Sequence, residues 1–175
     1  MAKWSIDTTH SEVQFKVKHL VISTVTGSFT EFGGELEANN DDFTDVKASF
    51  FAEVNSINTN NSQRDGHLKS DDFFGADKFS RINFVSSQLV KKNGSDYVLK
   101  GHLTIRDVTK EVELAVDFGG VAKDPYGQTK AGFEISGKIN RKEFGLTWSA
   151  LTETGGLLVG DDIKLSLSVQ FVKQA

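Results

Sequence analysis

The densest group of chemistry-bearing side chains is Arg64-Asp65-Gly66-His67-Leu68, which sets a guanidinium, a carboxylate and an imidazole close together in the chain. Beside a cavity mouth these groups can hold a phosphate or another polar head group, because a guanidinium presents fork-like donors. A plainer reading makes Arg64 and Asp65 an ion pair, or caps on backbone groups, that fix a loop over one end of the fold. A third reading uses His67 with Asp65 or His19 as acid–base groups acting on a small amphiphile. The residues alone leave these three open. Of the four histidines, His19 falls on the apolar side of its strand, where a buried imidazole needs a hydrogen-bond partner or a water. His102 is out of phase with Leu99 and Leu103 and reads as a surface residue. There is no HExxH spacing, no P-loop and no G-x-S-x-G element, so no metal or other cofactor is expected. The acidic pairs Asp41-Asp42, Asp71-Asp72 and Asp161-Asp162 read as turn residues.

Composition narrows the field further. The 175-residue chain has no Cys, which excludes disulfides, thiolate metal sites and a cysteine nucleophile. Its formal charge of −4, with both signs interspersed, offers no basic surface for nucleic acid. No apolar run approaches the roughly 18 residues of a membrane-spanning helix. The opening MAKWSIDTTHSEV lacks a signal-peptide pattern, which predicts a cytoplasmic protein as the chain stands and a periplasmic one if a leader has been removed.

The elements that must position the polar cluster are strands. Val13, Phe15, Val17 and His19 alternate with Glu12, Gln14, Lys16 and Lys18. The same rhythm runs through Val46–Val54, Tyr97–Arg106, Glu111–Gly119, Lys130–Ile139 and Ile163–Val172. Period-two alternation means a sheet with one wet and one dry face. Asn93-Gly94 and Asp124-Pro125-Tyr126-Gly127 mark turns, and the only Pro lies there, outside any strand. Residues 55–74 lack the alternation; Asn60 or Asn61 can cap a short helix running to about Ser70. Asn140–Gly145 can form one helical turn, and Leu151–Asp162 reads as a flexible loop. About eight antiparallel strands with short turns make a single domain, a sandwich or a closed barrel. Phe15, Phe50, Phe84, Phe118 and Phe133 all sit on dry faces. Periodicity by itself favours a packed core, because alternation carries no information about empty volume.

The order of several short motifs resembles the YceI-like family across essentially the whole chain. Asp7, His10-Ser11, Val13, Phe15 and His19-Leu20 look like its opening, followed by Gly27-Ser28-Phe29 and Gly34. Ser56-Ile57, Thr59, Arg64–Leu68 and Asp72-Phe73-Phe74 form the most specific stretch. Ile82-Asn83-Phe84, Gly101–Ile105, Val108-Thr109-Lys110, Arg141, Phe144-Gly145-Leu146 and Gly160-Asp161 complete the series. The sequence departs from the family at Asp107, usually Gly, and at Ser80, commonly Pro. The resemblance implies an all-β, extended eight-stranded antiparallel, lipocalin-like barrel over 1–175, with one short helix near 61–70 and an elongated apolar tunnel. It implies a non-catalytic carrier of a long-chain isoprenoid or fatty-acid-like amphiphile, and a possible homodimer. On that reading Phe15, Val17, Phe50, Phe84, Leu99, Leu103, Phe133 and Leu165 line the tunnel. His19, Arg64 and His67 meet a head group, while Asp65, Asp72, Phe73 and Phe74 hold the loop. The rival readings remain an enzyme built on His67, Asp65 and His19, and a packed barrel with no ligand.

Overall fold

The structure, a computed structural model, describes residues 2–20, 22–40, 42–148 and 159–174. Eleven strand segments form one antiparallel sheet: β1 (Ala2–Ile6), β2 (Glu12–His19), β3 (Ser23–Phe29), β4 (Phe32–Ala38), β5 (Lys47–Glu53), β6 (Ile57–Asn58), β7 (Arg81–Asn93), β8 (Asp96–Ile105), β9 (Val108–Lys123), β10 (Thr129–Asn140) and β11 (Val159–Lys173). Three pairs of segments are halves of bent strands. β1 pairs with β4 while β2 pairs with β3, and β4 pairs with β5 while β3 pairs with β6. β11 pairs with β10 along one edge, and with both β2 and β1 along the other. Counting each bent pair once gives an eight-stranded closed up-and-down barrel, the β1–β11 pairing completing the ring. Among the described residues no helix is long and apolar enough to cross a membrane.

The bends have local causes. Between β1 and β2, Asp7 turns the chain by accepting from the Thr9 backbone N–H and hydroxyl, and its other oxygen meets His10 Nδ1 at 2.8 Å and Lys130 Nζ at 3.0 Å. These bonds, led by the Thr9 hydroxyl, hold its carboxyl well below the usual carboxylate range. Between β8 and β9 the two-residue turn Arg106-Asp107 has φ of 51° and 65°, the mirror-type geometry that matches the twist of a hairpin.

The helix α1 (Ser62–Lys69) begins at Asn61, whose side chain accepts from the Arg64 N–H, and residues 141–144 form one 3-10 turn, both as expected. Asp161 and Asp162 are a correction. They lie within β11, not in a turn, because the β2–β11 register shifts between Val159 and Ile163 and leaves them on an irregular stretch of strand. Residues 151–158 of the expected loop lie outside the described residues, and its last four, 159–162, belong to β11.

The interior is not uniform along the barrel axis. At one end Phe43, from the β4–β5 loop, is 1% exposed and occupies the centre of the barrel. Its ring meets Trp4, Phe118 and Phe133 edge-on at centroid distances of 5.2, 5.4 and 5.4 Å. Phe118 stacks on Phe133 at 5.0 Å, and Leu36, Leu89, Tyr97, Val169 and Phe171 fill around them. Toward the other end the inward side chains lose contacts. Along β11, Phe171 and Val169 are buried, whereas Leu165 and Ile163 are half-buried although they too point inward. Along β2, Val13 and Phe15 are buried, and Val17 and His19 half-buried.

Candidate functional site

That loss of contacts marks a cavity of about 440 Å³. Its apolar wall includes Phe15, Val17 and Val25 from the β2–β3 hairpin, Phe29 from the end of β3, and Ile163 and Leu165 from β11. Leu68 from α1, with Phe73 and Phe74 from the segment after it, covers part of the barrel mouth, and Leu146 and Trp148 add a further side. One glycine is needed for this wall. A Cβ at Gly27 would stand 2.3 Å from Phe15 Cζ, so the bare backbone lets the Phe15 ring lie flat across the neighbouring strand.

Two arginines build the mouth by bonding backbone carbonyls. Arg141 is 2% exposed. Its Nε donates to the Gly160 carbonyl at 2.8 Å, Nη1 to those of Leu146 and Trp148 at 2.7 Å each, and Nη2 to that of Val159 at 3.3 Å. Burial pulls its guanidinium below the ordinary arginine range, and Asp161, 3.8 Å away, opposes the shift. Arg106 Nη1 donates to the carbonyls of Phe73 at 2.8 Å, and of Asp71 and Gly145 at 3.2 Å each. This three-way tie binds the β8–β9 turn to both covering segments. Arg141 was visible in the sequence only as part of a family motif. It continues the apolar phase of β10 beyond Phe133, Ile135, Gly137 and Ile139, so an arginine on a dry face was the signal available.

The polar cluster faces the cavity, but its members pair differently from a catalytic dyad. Arg64 Nε donates to Thr59 Oγ1 at 2.8 Å and its Nη2 to the Thr59 carbonyl at 2.6 Å. Asp65 Oδ1 accepts from the same threonine, N–H at 2.9 Å and hydroxyl at 2.5 Å. His67 Nε2 stands 2.9 Å from Asp72 Oδ2, with its ring edge-on to Phe73 and to Trp148 at 5.1 and 4.7 Å. Asp65 therefore serves Thr59 and His67 pairs with Asp72. The Asp65–His67 combination is not formed, and no Arg64–Asp65 ion pair is present. His19, Arg64 and His67 all line the cavity, so the structure brings the three expected head-group residues together. Phe73 and Phe74, expected to hold the loop, also contribute to the wall.

Of the eight apolar residues expected along a tunnel, Phe15, Val17 and Leu165 stand on the cavity wall. The other five lie outside it. Phe133 belongs to the aromatic plug. Phe84 and Leu103 are buried in the core below the mouth, the Phe84 ring pressed on Gly101, where a Cβ would come within 2.4 Å. Leu99 and Phe50 bridge neighbouring core clusters. Of those five, Phe84, Leu103 and Phe133 are buried among other side chains, whereas Phe50 and Leu99 are half-buried. Among the described residues there is no group of three or more His, Cys, Asp or Glu placed to hold a metal ion.

The family model described as "YceI-like domain" matches residues 4–171. The chain belongs to the YceI-like family. A Staphylococcus aureus UPF0312 protein is 40% identical over 172 residues, covering 98% of both chains. The crystal structure of a Campylobacter jejuni YCEI protein superposes with a TM-score of 0.77 at 34% identity over 90% of each chain. A polyisoprenoid binding domain from Saccharophagus degradans, implicated in plant cell wall breakdown, superposes with a TM-score of 0.74 at 14% identity over 98% of each chain. The last likeness is one of fold. The YceI-like barrel seen here matches that shared architecture, and the cavity described above lies at the end covered by α1.

Proposed function

We propose that this YceI-like protein is a non-catalytic binder or carrier of one apolar or amphiphilic chain, seated tail-inward in the cavity at the α1 end of the barrel. The observation carrying the reading is the half-buried state of inward-pointing apolar residues around about 440 Å³ of unfilled volume. Such side chains are short of contacts that a methylene chain supplies. Burying that chain contributes about 0.8 kcal/mol per CH₂ before the costs of association. The tail is isoprenoid or fatty-acid-like, in keeping with the ligand class for which the Saccharophagus degradans domain is described. The volume lies in the lower half of the roughly 300–1,000 Å³ range of small-molecule sites. A tail of modest length is fully enclosed, and a longer one leaves through the mouth, because the Phe43 plug blocks the far end.

Native mass spectrometry of gently purified protein, followed by delipidation and rebinding of a fluorescent fatty-acid analogue, tests this. Saturable uptake of one molecule per chain, competed by unlabelled isoprenoid alcohols or fatty acids, is expected. A delipidated, folded protein that takes up no probe at any concentration below its micellar range ends the proposal.

A further inference from the structure

The charge of the cavity rim is at odds with that of the molecule. The chain carries a net −4, yet the cavity is lined by Lys18, Arg64 and Arg141 with His19 and His67, and by no Asp or Glu among the described residues. Acidic residues are near, but each stands behind a lining residue. Asp65 holds Thr59, Asp72 holds His67, and Asp161 lies against Arg141 and Lys142. The interior wall thus presents N–H donors while the carboxylates orient them from the rear. Arg64 is the best placed. Thr59, itself 3% exposed, holds the Nε–Nη2 edge of the guanidinium, and among the described residues no carboxylate comes within ion-pair distance of it.

We infer that the ligand carries an anionic head group, a carboxylate or phosphate, that rests on Arg64 with His19 beside it while its tail fills the apolar wall. The inference rests on the carrier reading above. An anion gains charge-assisted bonds from a fork already oriented, so little side-chain entropy is lost on binding. A cationic head meets the like charge of Arg64. A neutral alcohol receives single hydrogen bonds and no Coulombic attraction.

The test compares probes that share one tail: dodecanoate, dodecyl phosphate, dodecanol and dodecyltrimethylammonium, each displacing a fluorescent apolar dye from delipidated protein. Dodecanoate or dodecyl phosphate is expected to bind about tenfold more tightly than dodecanol, as one charge-assisted contact warrants, and the ammonium most weakly. Which anion leads separates a fatty-acid-type from a phosphate-type ligand. Arg64→Gln should reduce the anion-to-alcohol ratio to about threefold or less. Raising salt should weaken the anions in the unaltered protein and leave dodecanol unchanged, a readout that does not depend on the variant's folding. Equal affinities for anion, alcohol and ammonium, insensitive to salt, would overturn the inference and spare the carrier reading. Failure of all four probes to displace the dye would overturn both.

Discussion

At one end of the barrel Phe43 sits buried among Trp4, Phe118 and Phe133, ring against ring. At the other, Arg106 and Arg141 donate to seven backbone carbonyls and the interior is hollow. Dispersion and the hydrophobic effect require contact everywhere, so an end held by aromatics must be full. Hydrogen bonds are directional and can frame an opening without filling it. The contrast teaches that a barrel can keep a binding cavity where its covering segments are tied by polar bonds, provided the opposite end supplies the packed core.

The sharpest way to break this comparison is Phe43→Ala. Removing the central ring should cost about 3–5 kcal/mol in urea unfolding, as for other buried Phe truncations. A loss under about 1 kcal/mol would mean that the closed end does not depend on ring packing. Arg141→Leu should come next, at about 2–3 kcal/mol, since four carbonyls lose their donor near a partly wet mouth. The chain has one tryptophan at each end, Trp4 and Trp148. With Trp4→Phe as background, Arg141→Leu should shift Trp148 emission to the red; in the Trp148→Phe background, Trp4 should report no change.

Gly27→Ala probes the wall without touching the ties. Its methyl would drive the Phe15 ring into the cavity, so apolar-dye affinity should fall several-fold while stability drops by about 1–2 kcal/mol. Unaltered dye binding would show that Phe15 is not part of the ligand's contact surface. The effect of pH should be gentler and belong to the closed half, where Asp7 joins the β1–β2 bend to Lys130. A depressed folded-state pKa gives stability that is present above the unfolded value near 4 and is lost as pH falls through the folded one. Urea midpoints should therefore decline in acid, and Asp7→Asn should flatten that decline; an equal slope in both proteins removes Asp7 as its source. The smallest change expected is from Asp107→Gly, a gain of about 0.5 kcal/mol by calorimetry, because Asp107 holds a φ of 65° at some cost that glycine avoids.

Side of the sheet was readable from alternation, and height along the barrel was not. Val13, Phe15, Val17 and His19 were correctly grouped, as were Ile163, Leu165, Val169 and Phe171, because the period of two assigns a face. Nothing in that period distinguishes Leu165, which meets the cavity, from Phe133, which meets another ring. The difference depends on strand tilt and stagger, which only the pairing registers supply. Phe43 was illegible for another reason. It follows a turn cluster, has a φ of 59°, and reaches the barrel centre only because Asp45 caps Asn39 and Asn40 and folds the loop inward. The polar cluster was legible as a group, but its partners were not. Thr59 and Asp72 lie five or six residues away in the chain and become neighbours through the helix α1 and the turn that follows it.

The pairing of β11 with both β1 and β2 joins the last strand to the first. These partners lie far apart in the chain, so seven strands' worth of apolar inner surface waits for the eighth. Closure is then an event of high contact order and correspondingly slow, and the forming sheet has two unpaired edges until it occurs. An amphiphile or a chaperone that shields this surface before the seam forms would speed recovery of folded protein, and the seam sets the moment at which the cavity first exists.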